Sequence, residues 1–153
     1  MTHRVARRRG GADRPLAATF RRNAAGFHAA AEAALPQHSE AARYFLAIAI
    51  ELALKAHLLH RGISDDWNRV YLRHDLSKAL RFARRAGFNG APAALQELTA
   101  LLGPYYQVHA ISQMPPEAVA SVCWSRACTT VRDLINAVVE AAGFDASDHE
   151  GTA

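Results

Sequence analysis

Cysteine is nearly absent: the 153 residues hold two, Cys123 and Cys128. Their spacing fits neither a CxxC redox pair nor a zinc knuckle, and at that separation two side chains of one helix point in different directions. No disulfide framework is available, and the expectation is a reduced, cytoplasmic protein. Aromatic residues make up only 8% of the chain, and no stretch shows the β-branched alternation that strands need. Long apolar runs are missing too. The longest clean one, Phe45–Ile50, ends at Glu51, far short of the roughly 18 residues of a membrane span, so no membrane association is expected. No grouping of His, Cys, Asp and Glu has convincing metal-ligand spacing, and neither metal nor cofactor is expected.

What is present is alanine and an even mixture of apolar and charged residues. Half the chain is hydrophobic and 21% is charged, enough for one domain with a real core. Alanine has the best helix propensity, which favours close-packed helices over a sheet. The formal net charge of +4 is confined to one end: residues 1–15 hold five arginines against Asp13, and the remainder balances. Residues 1–14 therefore read as a disordered basic arm, residues 15–144 as the helical domain, and 145–153 as a frayed acidic tail. Such arms can hold phosphate backbones.

Periodicity places the helices. A first helix runs from about Pro15 to Leu35, with Leu16, Phe20, Phe27, Ala31 and Leu35 as its stripe and Pro36 as its stop. A second starts near Ser39 as N-cap and ends at Gly62. Between Tyr44 and Leu59 its only polar side chains are Glu51, Lys55 and His57, so it reads as the central helix of a bundle. Residues 63–72 read as a loop anchored by Trp67 and Tyr71. A third helix starts at His74-Asp75 with Asp75 as N-cap and runs to about Ala86. A fourth covers about Pro92–Leu102, broken by Gly103-Pro104. A last helix runs from about Glu117 to Ala142 with Gly143 as stop. The fold class is all-α, a bundle of four or five helices.

Two segments carry chemistry. The central helix reads Glu51-Leu-Ala-Leu-Lys55, and the third begins His74-Asp75-Leu-Ser-Lys78-Ala-Leu80. In this order and separation they resemble HEPN-domain proteins, over roughly residues 18–142. The resemblance implies an all-α bundle that pairs as a homodimer and belongs to prokaryotic defence, toxin–antitoxin or RNA-processing systems. Active members are metal-independent ribonucleases with an Arg, four to six residues and a His on a late helix. Here His109 occupies the late position, but Leu102, Gly103, Pro104 and Tyr105 stand where that Arg would be. The only literal match outside the arm is Arg69 to His74, in the approach to the third helix. The expected function is therefore an RNA- or nucleotide-associated accessory protein, with a neighbouring protein as a further partner. The alternatives are an active metal-independent ribonuclease and a structural protein-interaction module.

Residue by residue, Glu51 and Lys55 stand one helical turn apart in the favourable order, acid first. They read either as a pair that orders the bundle or, through Lys55, as the cation of a phosphate pocket. Together with His74 and Asp75 they form an expected structural polar cluster, in which His74 hydrogen-bonds Glu51 and Asp75 caps the helix. As a catalytic pair, Arg69 or Arg73 would stabilise phosphorane charge and His74 would move protons. Arg73, Lys55, Tyr105, Tyr106 and His109 are the candidate binding residues, the tyrosines because their rings can stack on bases. A metal-dependent HD phosphohydrolase would need further ligands, for which His57, His60 and Asp133 are the candidates. His57 and His60 also suit a simple interaction with the helix C-terminus.

Overall fold

The computed structural model describes residues 12–150, with side chains described through Gly143. The basic arm expected over residues 1–14 falls outside this range except for its end. There Asp13 Oδ1 accepts from Leu16 N–H at 3.1 Å and caps a helix that already includes Arg14. No strand occurs among the described residues, and the chain is a helical bundle.

Two helices form its spine. Helix α1 (Arg14–Ala34) and α2 (Ser39–His60) are joined by four residues, a connection short enough to force an antiparallel hairpin. Asp13 N–H, at the start of α1, donates to Leu59 O at the end of α2 over 3.2 Å. The packing explains why the pair is the most extensive in the molecule. Ala17, Ala24 and Ala31 recur every seven residues on α1, Ala42, Ala49 and Ala56 do so on α2, and all six are fully buried. A seven-residue repeat keeps one seam facing the partner, and a methyl at each seam position lets the backbones approach closely. The larger residues Leu16, Phe20 and Phe27 are only partly buried, flanking the core. The inner line of α1 is thus one of alanines rather than the expected stripe. His28 is buried on the same helix and reaches across to Cys128 O on α7 (Trp124–Glu150) at 2.8 Å.

Helix α2 also touches α4 (Leu76–Arg85), α5 (Leu95–Gln107) and α7, and it is buried almost all round from Ala42 to Leu59, as a central helix must be. Gly62, at φ 89°, and Gly87, at φ 93°, follow the ends of α2 and α4, where the left-handed conformation favours glycine.

Several boundaries differ from expectation. The N-cap of α2 is His38, and Ser39 is the first helical residue. The Ser39 hydroxyl accepts from Arg43 Nη1 at 2.8 Å rather than capping. Residues 63–72 are not an irregular loop. Ser64 caps a short helix α3 (Asp65–Trp67) that passes into a π-helical turn, Asn68–Leu72. Trp67 anchors it with its ring 5.1 Å from that of Phe82. Helix α5 is not broken at Gly103-Pro104 but continues for another turn. The proline cost of about 3 kcal/mol is offset because that turn carries Tyr106, which is buried and bonded to Glu51. The last helix is two: α6 (Pro116–Ala120) and α7. Ser121 Oγ donates to Ala118 O at 2.6 Å and Trp124 Nε1 to Val119 O at 3.0 Å. These local bonds compete with helix continuation. Past Gly143, α7 runs on through Glu150; glycine inside a helix costs only about 1 kcal/mol. The acidic tail's last residues lie outside the described range.

Candidate functional site around His74

Glu51 is the hub. It lies on the buried mid-section of α2, where its carboxylate collects three donors. Lys55 Nζ donates to Oε1 at 3.2 Å, one turn along the same helix. His74 Nδ1 meets Oε1 at 2.6 Å from the start of α4, and the Tyr106 hydroxyl donates to Oε2 at 2.8 Å from α5. A buried carboxylate needs such partners, because an unpaired one is far costlier than an exposed one. Burial above all, and then the Glu51 charge, push the Tyr106 hydroxyl far above the usual phenol range, so it remains a donor.

The network fixes the tautomer of His74. Glu51 acts as acceptor toward Lys55 and Tyr106, so in the neutral ring of His74 the proton is assigned to Nδ1 and the lone pair to Nε2. The side chain of His74 is 45% exposed. The ring is therefore held at one edge and open at the other. The His109 ring lies with its centroid 5.6 Å away at 65°. The Tyr106 ring is 5.5 Å from His74 on another side and is backed by Tyr44 at 5.9 Å.

Two non-glycine residues beside this ring have left-handed φ. Arg73 has φ 49° and ψ −122°, the first central position of a type II′ turn, closed by Asp75 N–H donating to Leu72 O at 3.0 Å. Lys55 Nζ donates to Arg73 O at 2.8 Å and so holds that peptide inward. His109 has φ 56°. It follows α5, where its N–H donates to Tyr106 O at 3.1 Å and the next N–H, of Ala110, to Tyr105 O at 2.7 Å. This is the helix stop in which glycine is usual. Each such residue costs on the order of 1–3 kcal/mol, and backbone strain of this kind gathers at functional sites.

The candidates from sequence thus separate. Glu51, Lys55 and His74 come together in one network. Asp75 sits at its edge, accepting from Lys78 N–H at 3.1 Å as the helix cap. Lys55 is inside, 8% exposed, and spends its ammonium on Glu51 and Arg73 O. Tyr106 is 4% exposed, so its hydroxyl serves Glu51 and its ring face is covered; Tyr105 is partly buried against the core. Arg73 and His109 are exposed. Arg69 does not join the group: its guanidinium pairs with Asp65 Oδ2 at 3.1 Å on the outside of the turn. His57 is buried with its ring 5.1 Å from that of Phe88, and no three His, Cys, Asp or Glu side chains gather as a metal site among the described residues. Tyr44 and Lys78 were missed. Tyr44 lies two turns before Glu51 on the same helix face, a spacing visible in the sequence. Lys78 Nζ donates to Tyr71 O at 2.7 Å, a second lysine-to-carbonyl tie on the segment that carries Arg73.

No helix among the described residues is long and apolar enough to cross a membrane. No family model, curated protein or solved structure matches the chain.

Proposed function

We propose that this chain is a HEPN-like, RNA- or nucleotide-associated protein of the prokaryotic defence or toxin–antitoxin type. It works as a cytoplasmic homodimer beside a partner protein, as an accessory rather than as a nuclease. The observation that carries the reading is the 2.6 Å bond from His74 to Glu51. It joins the two sequence motifs into one polar centre and leaves an imidazole edge facing outward. Exposed Arg73 adds a cation next to that edge in the chain. Val70 and Val108, 62% and 67% exposed, support a paired chain, because exposed apolar side chains beside a polar centre suit an interface.

A metal-independent ribonuclease is the second reading, favoured by the pair of neighbouring imidazoles at His74 and His109. Fluorescence anisotropy with a labelled single-stranded RNA, repeated with ATP as competitor and in the presence of chelator, tests the association. Saturable binding unaffected by chelator is the expected result. Absence of saturable binding to both RNA and ATP would overturn it.

A further inference from the structure

His109 is an unusual residue for its place. The helix stop that it occupies favours glycine or asparagine, and at φ 56° a branched ring side chain is held against its preference. Its imidazole is exposed, and its ring neighbour is His74. The two rings differ in how they are held. His74 has a carboxylate on Nδ1, which raises the basicity of Nε2 as in other carboxylate-oriented imidazoles. His109 has no carboxylate within bonding distance among the described residues, and so lacks that bias. An oriented base beside a freely protonated imidazole is the arrangement that acid–base catalysis at one phosphate requires.

We propose that His74 and His109 form a proton-transfer pair that cleaves single-stranded RNA through its own 2′-hydroxyl; this rests on the RNA-association reading. His74 Nε2 takes the 2′-hydroxyl proton. The 2′-oxygen forms a bond to phosphorus, the bond from phosphorus to the 5′-oxygen breaks, and its electron pair stays on that oxygen. Protonated His109 gives that oxygen its proton. The products are a 2′,3′-cyclic phosphate and a 5′-hydroxyl, and the imidazoles exchange their protons back with water. No oxidant, reductant or metal is needed. Glu51 is a positioning residue that holds the tautomer, and the Arg73 guanidinium is the nearby cation for the charge that builds on the phosphoryl oxygens.

The test compares the wild-type protein with His109→Asn and His74→Asn, in chelator, on a 5′-labelled single-stranded RNA and on the same oligonucleotide in all-2′-deoxy form. Asparagine suits the left-handed backbone at 109, and at 74 its amide keeps a donor toward Glu51 while removing Nε2, so both variants are built to fold. Cleavage is expected only of the ribose form, with cyclic-phosphate ends. Each variant is expected to slow it by about 10²–10⁴-fold while RNA affinity changes by less than about threefold. The wild-type rate falls at both pH extremes, and His109→Asn loses the fall at high pH. RNA that is bound but not cut, cutting of the deoxy form, an unchanged rate in His109→Asn, or a loss of affinity matching the loss of rate would each overturn the proton-transfer pair alone. Failure of the wild-type protein to bind RNA at all would overturn it together with the association reading.

Discussion

The Glu51 carboxylate and the His74 imidazole meet at 2.6 Å across 23 residues of sequence. The contact pins the turn ahead of α4 to the middle of α2. Lys55 reinforces it from below by holding the Arg73 carbonyl at 2.8 Å. One buried carboxylate therefore fixes both the ring and the strained peptide beside it, and the account of the site depends on that double hold.

Removing either charge of the buried pair should be costly. The side chains of Glu51 and Lys55 are 9% and 10% exposed, so Glu51→Gln or Lys55→Met leaves a desolvated partner, at about 3–5 kcal/mol. Urea unfolding of the single and double variants should give a coupling energy of about 0.5–3 kcal/mol. Additive losses would show that the two side chains stabilise the fold independently.

Tyr106→Phe removes the third donor to Glu51 and should cost about 1–3 kcal/mol at neutral pH, because the carboxylate is left underserved. The pH dependence has a definite sign. The folded phenol titrates above its unfolded value of about 10, so the folded state favours the neutral form. Stability from this group is complete below pH about 10 and is lost as pH rises through the folded value. In thermal melts from neutral to strongly alkaline pH, Tyr106→Phe should flatten that fall. An identical alkaline slope in both proteins would contradict the placement of Tyr106.

The alanine seam predicts sensitivity to added volume. Ala49→Leu, at a fully buried seam position, should destabilise by about 1–3 kcal/mol through overpacking. Ala25→Leu, on the exposed side of α1, should change stability by less than about 0.5 kcal/mol. Equal effects in chemical denaturation would refute close packing of α1 on α2.

The two thiols should react differently. A hydrogen bond with Ser125 and backbone amides at the start of α7 lower the Cys123 thiol below its ordinary value, whereas burial raises that of Cys128. Mass spectrometry after a short exposure to iodoacetamide near neutral pH should find Cys123 modified and Cys128 protected. Cys128 should become reactive only on unfolding. Comparable rates in the folded protein would contradict the burial of Cys128 on α7.

Much of the fold is legible in the sequence because its signals are local. The all-apolar run of α2, the Asp75 cap and the stops at Gly62 and Gly87 all show in composition and spacing. What is not legible depends on tertiary contact. Pro104 argues for a break on local grounds, yet Tyr106 anchors the next turn through a partner 55 residues away. Val119 to Val138 reads as one stripe, yet Ser121 and Trp124 divide it by bonding backward. In the site, Glu51, Lys55 and His74 stand out as charges in an apolar setting, whereas the left-handed backbone of Arg73 and His109 has no sequence signal, because neither residue is one that prefers it. The alanine heptads were visible in principle; larger side chains draw the eye to the flanking stripe.

The central claim is that the open edge of His74, beside His109, is where RNA is met. Nitrogen-detected NMR of the histidine side chains, recorded as single-stranded RNA is added, tests it most directly. Free His74 should show the proton on Nδ1, and RNA should shift Nε2 of His74 and the ring of His109 while leaving buried His28 and His57 unmoved. A proton on Nε2 in free His74, or RNA binding that leaves both His74 and His109 unshifted, would contradict the account.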